Sequence, residues 1–295
     1  MSFIGKWFRK VNKSGGRTSG PLSLEAALER AGLKSFELAL APHVAHSIFV
    51  TSTPLPEGSP KVGSSRIGGL PDLPLGVHWP EVNGKPLGFV GQFNLAEIAL
   101  FDKERLLPSS GFLFFFYDVD QNAWGGDPND KDHWRVLFHS SSAADLRRIG
   151  VPAKLKEPEI WRQCRVRFST QVTVPDEPPH GVPDDEEQYF SLKEYLGAYM
   201  THHQLLGHES PVQDDVKLEC QSVADRIHRV NASGSQEWRK ESKRRREDWI
   251  LLLQVDSDEN AKMMWGDLGR LYFCIQKQDL QDHRFDRVWM ILQCH

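Results

Sequence analysis

Gly88-Phe89-Val90-Gly91-Gln92-Phe93-Asn94-Leu95, followed after a variable stretch by Gly111-Phe112-Leu113-Phe114-Phe115, has a counterpart later in the chain. There Ile250-Leu251-Leu252-Leu253-Gln254-Val255-Asp256-Ser257 precedes Gly269-Arg270-Leu271-Tyr272-Phe273. Each reads as an apolar strand ending in Gln-x-Asn/Asp, an acidic loop, and a second strand opening Gly-x-Leu-x-Phe. A doubled unit of this kind predicts two related strand-loop-strand lobes around a β-rich core.

Working outward, Val44–Thr51, Trp134–Phe138, Arg165–Val174 and Val288–Gln293 carry the β-branched and aromatic content of further strands. Ser23 and Gly32 bracket a helix over 23–31. The capping box Ser191-x-x-Glu194 and Gly207 predict a helix from Ser191 to about Leu206. Val216, Cys220, Val223, Ile227 and Val230 recur at helical spacing. Residues 54–88, dense in Pro and Gly, read as a long ordered loop, and 175–187 as an exposed acidic turn. Strands and helices segregate without βαβ alternation. The expected class is therefore α+β, β-rich, with mostly antiparallel sheets and a few peripheral helices. Residues 1–40 read as an N-terminal helical extension. Residues 41–295 read as a single domain with an internal pseudo-repeat, about 44–140 and 165–294.

The chain has 295 residues, is 39% hydrophobic and carries a formal net charge of −4. That balance makes no electrostatic case for nucleic acid or an anionic membrane as partner. No apolar run is long enough to span a bilayer. The N-terminus lacks the continuous apolar stretch of a secretory signal, so a cytoplasmic location is expected. Cys164, Cys220, Cys274 and Cys294 are scattered, which predicts reduced, buried thiols and no cysteine-based zinc site. The charge run 237–248 reads as a solvated surface stretch.

Further motifs occur in order: Arg66-Ile67-Gly68-Gly69-Leu70-Pro71-Asp72, Trp124-Gly125-Gly126-Asp127, His203-Gln204-Leu205-Leu206-Gly207, Pro211-Val212-Gln213-Asp214, and Met264-Trp265-Gly266-Asp267. With the two strand motifs and the terminal Leu292-Gln293-Cys294, they make the chain resemble the YwqG-like family, a bacterial domain family of unknown function. The resemblance covers residues 40–294. It implies one compact β-rich α+β unit, no settled activity and no catalytic residues to carry over. The association of some members with secreted-toxin systems implies an immunity-like or antitoxin-like protein-binding role.

Several constellations could carry chemistry. Asp256-x-Asp258-x-Asn260 with Asp267 places oxygen ligands at alternate positions, as a divalent-cation loop does, and Asp118-x-Asp120-x-Asn122 echoes it. Ala261 stands where a calcium loop needs Gly, so the plainer reading is an acidic turn whose Asp side chains cap backbone amides. Gln92 and Gln254 end equivalent strands. They are expected to meet at an interface between lobes and satisfy buried backbone groups, or else to line a cleft. His202, His203 and His208 are expected at a helix end, without metal-binding spacing. Trp79, Trp124, Trp134 and Trp265 sit beside the acidic loops and, with Asp72 and Asp127, could form a recognition surface. No nucleophile elbow or phosphate loop is present. The expectation is a non-enzymatic binding protein without a cofactor, its partner a toxin-like protein. The alternative is a metal-assisted hydrolase or a small-ligand or metal sensor built on the acidic loops.

Overall fold

The computed structural model describes residues 20–55, 60–140, 142–156, 159–201, 203–225 and 244–295. Its centre is a ten-stranded sheet in which every pairing is antiparallel. The middle pair is β1 (Ala45–Pro54) and β10 (Cys164–Thr173). Beyond β10 come β2 (Arg66–Ile67), β6 (Gly88–Asn94), β7 (Phe112–Tyr117) and β8 (Trp134–His139). Beyond β1 come β11 (His203–Leu205), β12 (Trp249–Asp256), β13 (Arg270–Gln276) and β14 (Trp289–Gln293). A short ribbon of β3 (Asp72–Pro74) with β9 (Leu146–Arg148), and another of β4 (Glu81–Val82) with β5 (Lys85–Pro86), fold within the Pro/Gly-rich stretch and beside it.

The sheet reads alike in both directions from its middle pair. On each side a long strand is followed by a short one, then the strand ending in Gln-x-Asn/Asp, then the strand after the acidic loop or turn, then an edge. The register slips between Phe89 and Gly91 on one side and between Leu251 and Leu253 on the other. Gln92 then lies opposite Phe114, and Gln254 opposite Tyr272. After the short strands, Gly68 and Gly69 (φ 65° and 74°) correspond to Leu206 and Gly207 (φ 59° and 74°).

The unbroken apolar runs follow from burial on both faces. Leu113, Phe115 and Tyr117 point into the central core with Leu271, Phe273 and Ile275, and the Phe115 and Phe273 rings meet at 5.1 Å. The alternate residues Phe112, Phe114 and Phe116 are covered on the outer face together with Leu73 and Leu146. Tyr272 and Cys274 are covered with residues of the helix Val216–Ala224. Each fully buried Phe contributes about 2–3 kcal/mol. The middle strand β10 alternates instead, because its outer face is largely open to solvent.

The sheet edges β8 and β14 face each other, so the sheet is nearly closed. Trp134 and Trp289 pack edge to face at 4.8 Å, the Trp134 indole donates to Val288 O, and Leu292 N donates to Trp124 O. Gly125 makes this approach possible: a Cβ there would stand 1.8 Å from Met290 O, and its φ is 81°.

Helix α1 (Leu24–Ala31) has the expected Ser23 cap and Gly32 stop, and shares a cluster with α2 (Glu186–Tyr195) over Val172 and Val174. The helix expected over 191–206 is displaced. Asp185 accepts from Glu187 N and Gln188 N, starting the helix earlier, and Gly197 (φ 92°) ends the run. His203–Leu205 is instead a strand, tied between β1 and β12. Helix α3 (Val216–Ala224) forms as expected, whereas Ile227 and Val230 lie outside the described residues. So do residues 1–19 of the N-terminal extension, 237–243 of the charge run, and His202. The four cysteines are free and buried.

Candidate functional site

The residues singled out above fall into three environments. The first is a buried knot around Asp72. Its carboxylate accepts from Arg66 Nη1 at 2.7 Å, Arg148 Nε at 2.6 Å and Gly63 N at 2.8 Å. Burial by itself would raise the Asp72 pKa, but the bonds from Arg66 and Arg148 hold it down at about 2. Gln92 completes the knot: Oε1 accepts from Asp72 N, and Nε2 donates to Ser64 O and Asp72 Oδ2. Arg66, Asp72 and Gln92 are fully buried. The knot ties β2, β3, β6 and β9 together; Arg66, Asp72 and Gln92 are sealed from solvent, and Arg148, its side chain 21% exposed, is the part that reaches it.

On the opposite side Gln254 Oε1 accepts from Ser210 N at 3.0 Å, while its Nε2 has no partner. No hydrogen bond joins the two glutamines. Each binds the loop beyond its own neighbouring short strand, and the expected meeting between lobes does not occur. Four strands, β2, β10, β1 and β11, separate β6 from β12 in the sheet order, so each amide works locally.

The second environment is the aromatic packing. Trp265 is buried between Tyr117 and Trp161, at 5.9 and 5.0 Å, and its indole donates to Asp256 O. Trp134 seals the seam between the sheet edges. Trp79 is half-buried, donates to Leu87 O and packs on Phe116. These three are walls.

The third environment is the pair of acidic loops. Asp118 accepts from Asp120 N and lies 2.8 Å from His133 Nδ1. Asp258 accepts from Asn260 N at 2.8 Å, bonds Ser52 Oγ, and lies 3.2 Å from His203 Nε2. His203 Nδ1 accepts from Asp256 N, which leaves the ring proton on Nε2, directed at Asp258. Burial pushes the Asp258 pKa up, but the bonds from His203 and Ser52 outweigh it and leave it below the ordinary value. Asp256 accepts from Arg270 Nε at 3.1 Å, and Arg270 also donates to Ser210 O at 2.8 Å. Asp267 is exposed, and Asn260 reaches back to Ser52 O. Asp256 thus pairs with Arg270, Asp258 and Asn260 both bond Ser52, and Asp267 is exposed; among the described residues no group of three or more His, Cys, Asp or Glu side chains is arranged to hold a metal ion. Asp127 caps its own turn through Asn129 N. His203 sits on a strand and His208 in the loop after it, so these two do not stand at a helix end.

One residue absent from the sequence-derived set joins the two loops. Gln121 Nε2 donates to Met264 O at 2.8 Å, its Oε1 accepts from Gly266 N at 2.9 Å, and its carbonyl accepts from the Trp124 indole at 3.0 Å. The loops are therefore cross-braced, and they carry exposed apolar side chains: Trp124 at 43%, Met264 at 48% and Leu268 at 56%. Glu259 and Asp267 are exposed on the second loop, and Asp120 on the first pairs with Lys85. Nothing in sequence separates Trp124 from Trp134 and Trp265. Arg270 did leave a signal: it is a charge where the matching position is Phe112, directly opposite Asp256 in the hairpin.

The fold defines a β-rich α+β protein built on one large, nearly closed antiparallel sheet. The chain belongs to the DUF1963 family, a domain of unknown function, whose family model matches residues 65–294. That span contains the Asp72 knot, both acidic loops and both sheet edges. No curated protein matches the chain. No helix among the described residues is long and apolar enough to cross a membrane.

Proposed function

We propose that this is a non-enzymatic protein-recognition module whose contact face is formed by residues 118–127 and 257–268. The observation that carries the reading is the exposure of Trp124, Met264 and Leu268 on loops held together by Gln121. Exposed apolar side chains on a braced frame lose little entropy on docking, and a Trp among them is a natural anchor. Among the exposed charges of the second loop Glu259 and Asp267 outnumber Lys262, while Asp120 on the first is paired with Lys85, so the rim is weakly acidic and the matching surface is apolar at its centre with a basic margin. The resemblance to YwqG-like proteins adds a class of partner: a toxin-like protein encoded nearby, held in an immunity-like complex.

The same reading treats the two sides of the sheet as copies of one strand–turn–strand unit. The shared bulge, the shared Gln register and the paired left-handed corners support it.

The test is calorimetric titration of the purified protein with each protein encoded beside it, using wild type and Trp124→Ala. The expected result is a complex with one of them, weakened by about 2–4 kcal/mol by the substitution, with an unchanged melting temperature. No complex, or a complex indifferent to Trp124, contradicts the proposal.

A further inference from the structure

The two edges of the large sheet are not equally covered. Along β14 and the residue before it, 288, 290 and 292 direct their backbone groups outward. Leu292 N is bonded to Trp124 O, Val288 O takes the Trp134 indole, and Gly125 is pressed onto Met290 O. In β8 the outward set follows from one bond. Asp118 N donates to His133 O, and these residues extend the pairing in which Tyr117 faces Trp134. Hydrogen-bonded pairs alternate along an antiparallel ladder. Arg135, Leu137 and His139 therefore bond to β7, while Val136 and Phe138 turn their N–H and C=O away from it. No hydrogen bond reaches those groups from elsewhere among the described residues, although Val136 is only 4% exposed.

A cavity of about 260 Å³ lies beside these residues. It is lined by Val136 and Phe138, which pack with the central core, and by Leu137, which packs on the outer face; Pro74, Val77 and Phe285 form the rest of its apolar wall. A space that touches both faces of one strand must run along its edge. Unpaired main-chain donors and acceptors beside a buried residue require a partner. The partner that matches two N–H and two C=O groups at strand spacing is another extended main chain.

We infer that the outer edge of β8 is a second binding site, which accepts an extended peptide segment of a partner protein as an eleventh strand. Three residues of that segment cover the open stretch at about 3.3 Å per residue. Their main chain bonds to Val136 and Phe138, and successive apolar side chains enter the cavity, against Phe285 on one face and Val77 on the other. The site is independent of the loop face proposed above.

The test uses a displayed random heptapeptide library selected on the full chain. Enriched peptides are expected to carry a run of successive apolar residues and to slow amide hydrogen exchange at Val136 and Phe138 at least tenfold. Val136→Pro removes one outward donor while leaving the ladder to β7 intact, and should weaken binding at least tenfold. Methylation of alternate peptide amides should do the same on the wild-type protein, which keeps the test decisive if the proline variant does not fold. No enrichment, peptides that bind Val136→Pro or survive methylation equally well, or amides at Val136 and Phe138 already protected without peptide would overturn the inference. Protection that instead rises with protein concentration would overturn it in favour of a second copy of this chain on the edge.

Discussion

Gln92 and Gln254 occupy corresponding places in the two sides of the sheet and do the same first job: each Oε1 holds the backbone N–H of the loop beyond the neighbouring short strand. They differ in what lies beneath. Gln92 sits on a carboxylate gripped by two arginines, and both of its amide hydrogens have acceptors. Gln254 sits on Ser210, and its Nε2 is left without a partner. The charged pair on that side is moved one hairpin position away, to Asp256 and Arg270, and it is less deeply buried than Arg66 and Asp72. The comparison teaches that the frame is carried by register, bulge and apolar burial, which the two sides share. The polar solution inside each frame is local and free to differ. It also separates stabilising residues from available ones: the knot offers no apolar surface to solvent, and the exposed apolar side chains Trp124, Met264 and Leu268 sit on the loops.

Removing Asp72 should give the largest effect. Asp72→Ala leaves Arg66 fully buried without its carboxylate and beside the charge of Arg148, and should cost about 3–5 kcal/mol in urea unfolding. Asp256→Ala should cost clearly less, because it deprives one arginine of its carboxylate and not two, and Arg270 keeps Ser210 O. Equal costs would break the asymmetry. Next, Gln92→Leu should cost about 2–3 kcal/mol, for it orphans Asp72 N and Ser64 O together. Gln254→Leu should cost less than about 1 kcal/mol, since it removes an unpaired donor along with one good bond.

Acidification should sharpen the same contrast. The Asp72 pKa is about 2 in the folded protein and near 3.9 in an unfolded chain. A depressed folded value means the contribution is fully present above the unfolded pKa and is lost as pH falls through the folded one. About 2 kcal/mol should therefore disappear between roughly pH 4 and pH 2. Asp258, also held below its ordinary value, loses stability in the same direction. Asp72→Asn should flatten that part of the pH profile measured by thermal unfolding. The smallest effect belongs to the loop face: Trp124→Ala should change stability by no more than about 0.5 kcal/mol. A larger loss would mean that Trp124 is a structural wall like Trp134.

How much of this was legible in the sequence depended on where partners come from. The strands β6, β7, β12 and β13 were plain because burial on both faces leaves unbroken apolar runs such as Phe112–Tyr117. The short strand β11 was not, since three residues between loops carry no periodicity, and a capping-box pattern at Ser191 competed with the Asp185 cap used instead. The turn chemistry of Asp118 and Asp258 was readable, because an Asx carboxylate bonds an amide two residues on. The Asp72 knot was half readable. The acid stood out, but Arg148 is 76 residues away and arrives only through the β3–β9 ribbon. The exposed face was hidden for a related reason: Trp124 becomes a surface residue only because Gly125 is pressed onto β14 and Gln121 reaches across to the other loop.

The most direct test of the recognition face is amide hydrogen exchange on the complex with the neighbouring protein that binds. Protection should rise over residues 119–125 and 262–268 and stay unchanged over 63–72, around the buried knot. A footprint that leaves both loops exchanging as in the free protein would contradict the account.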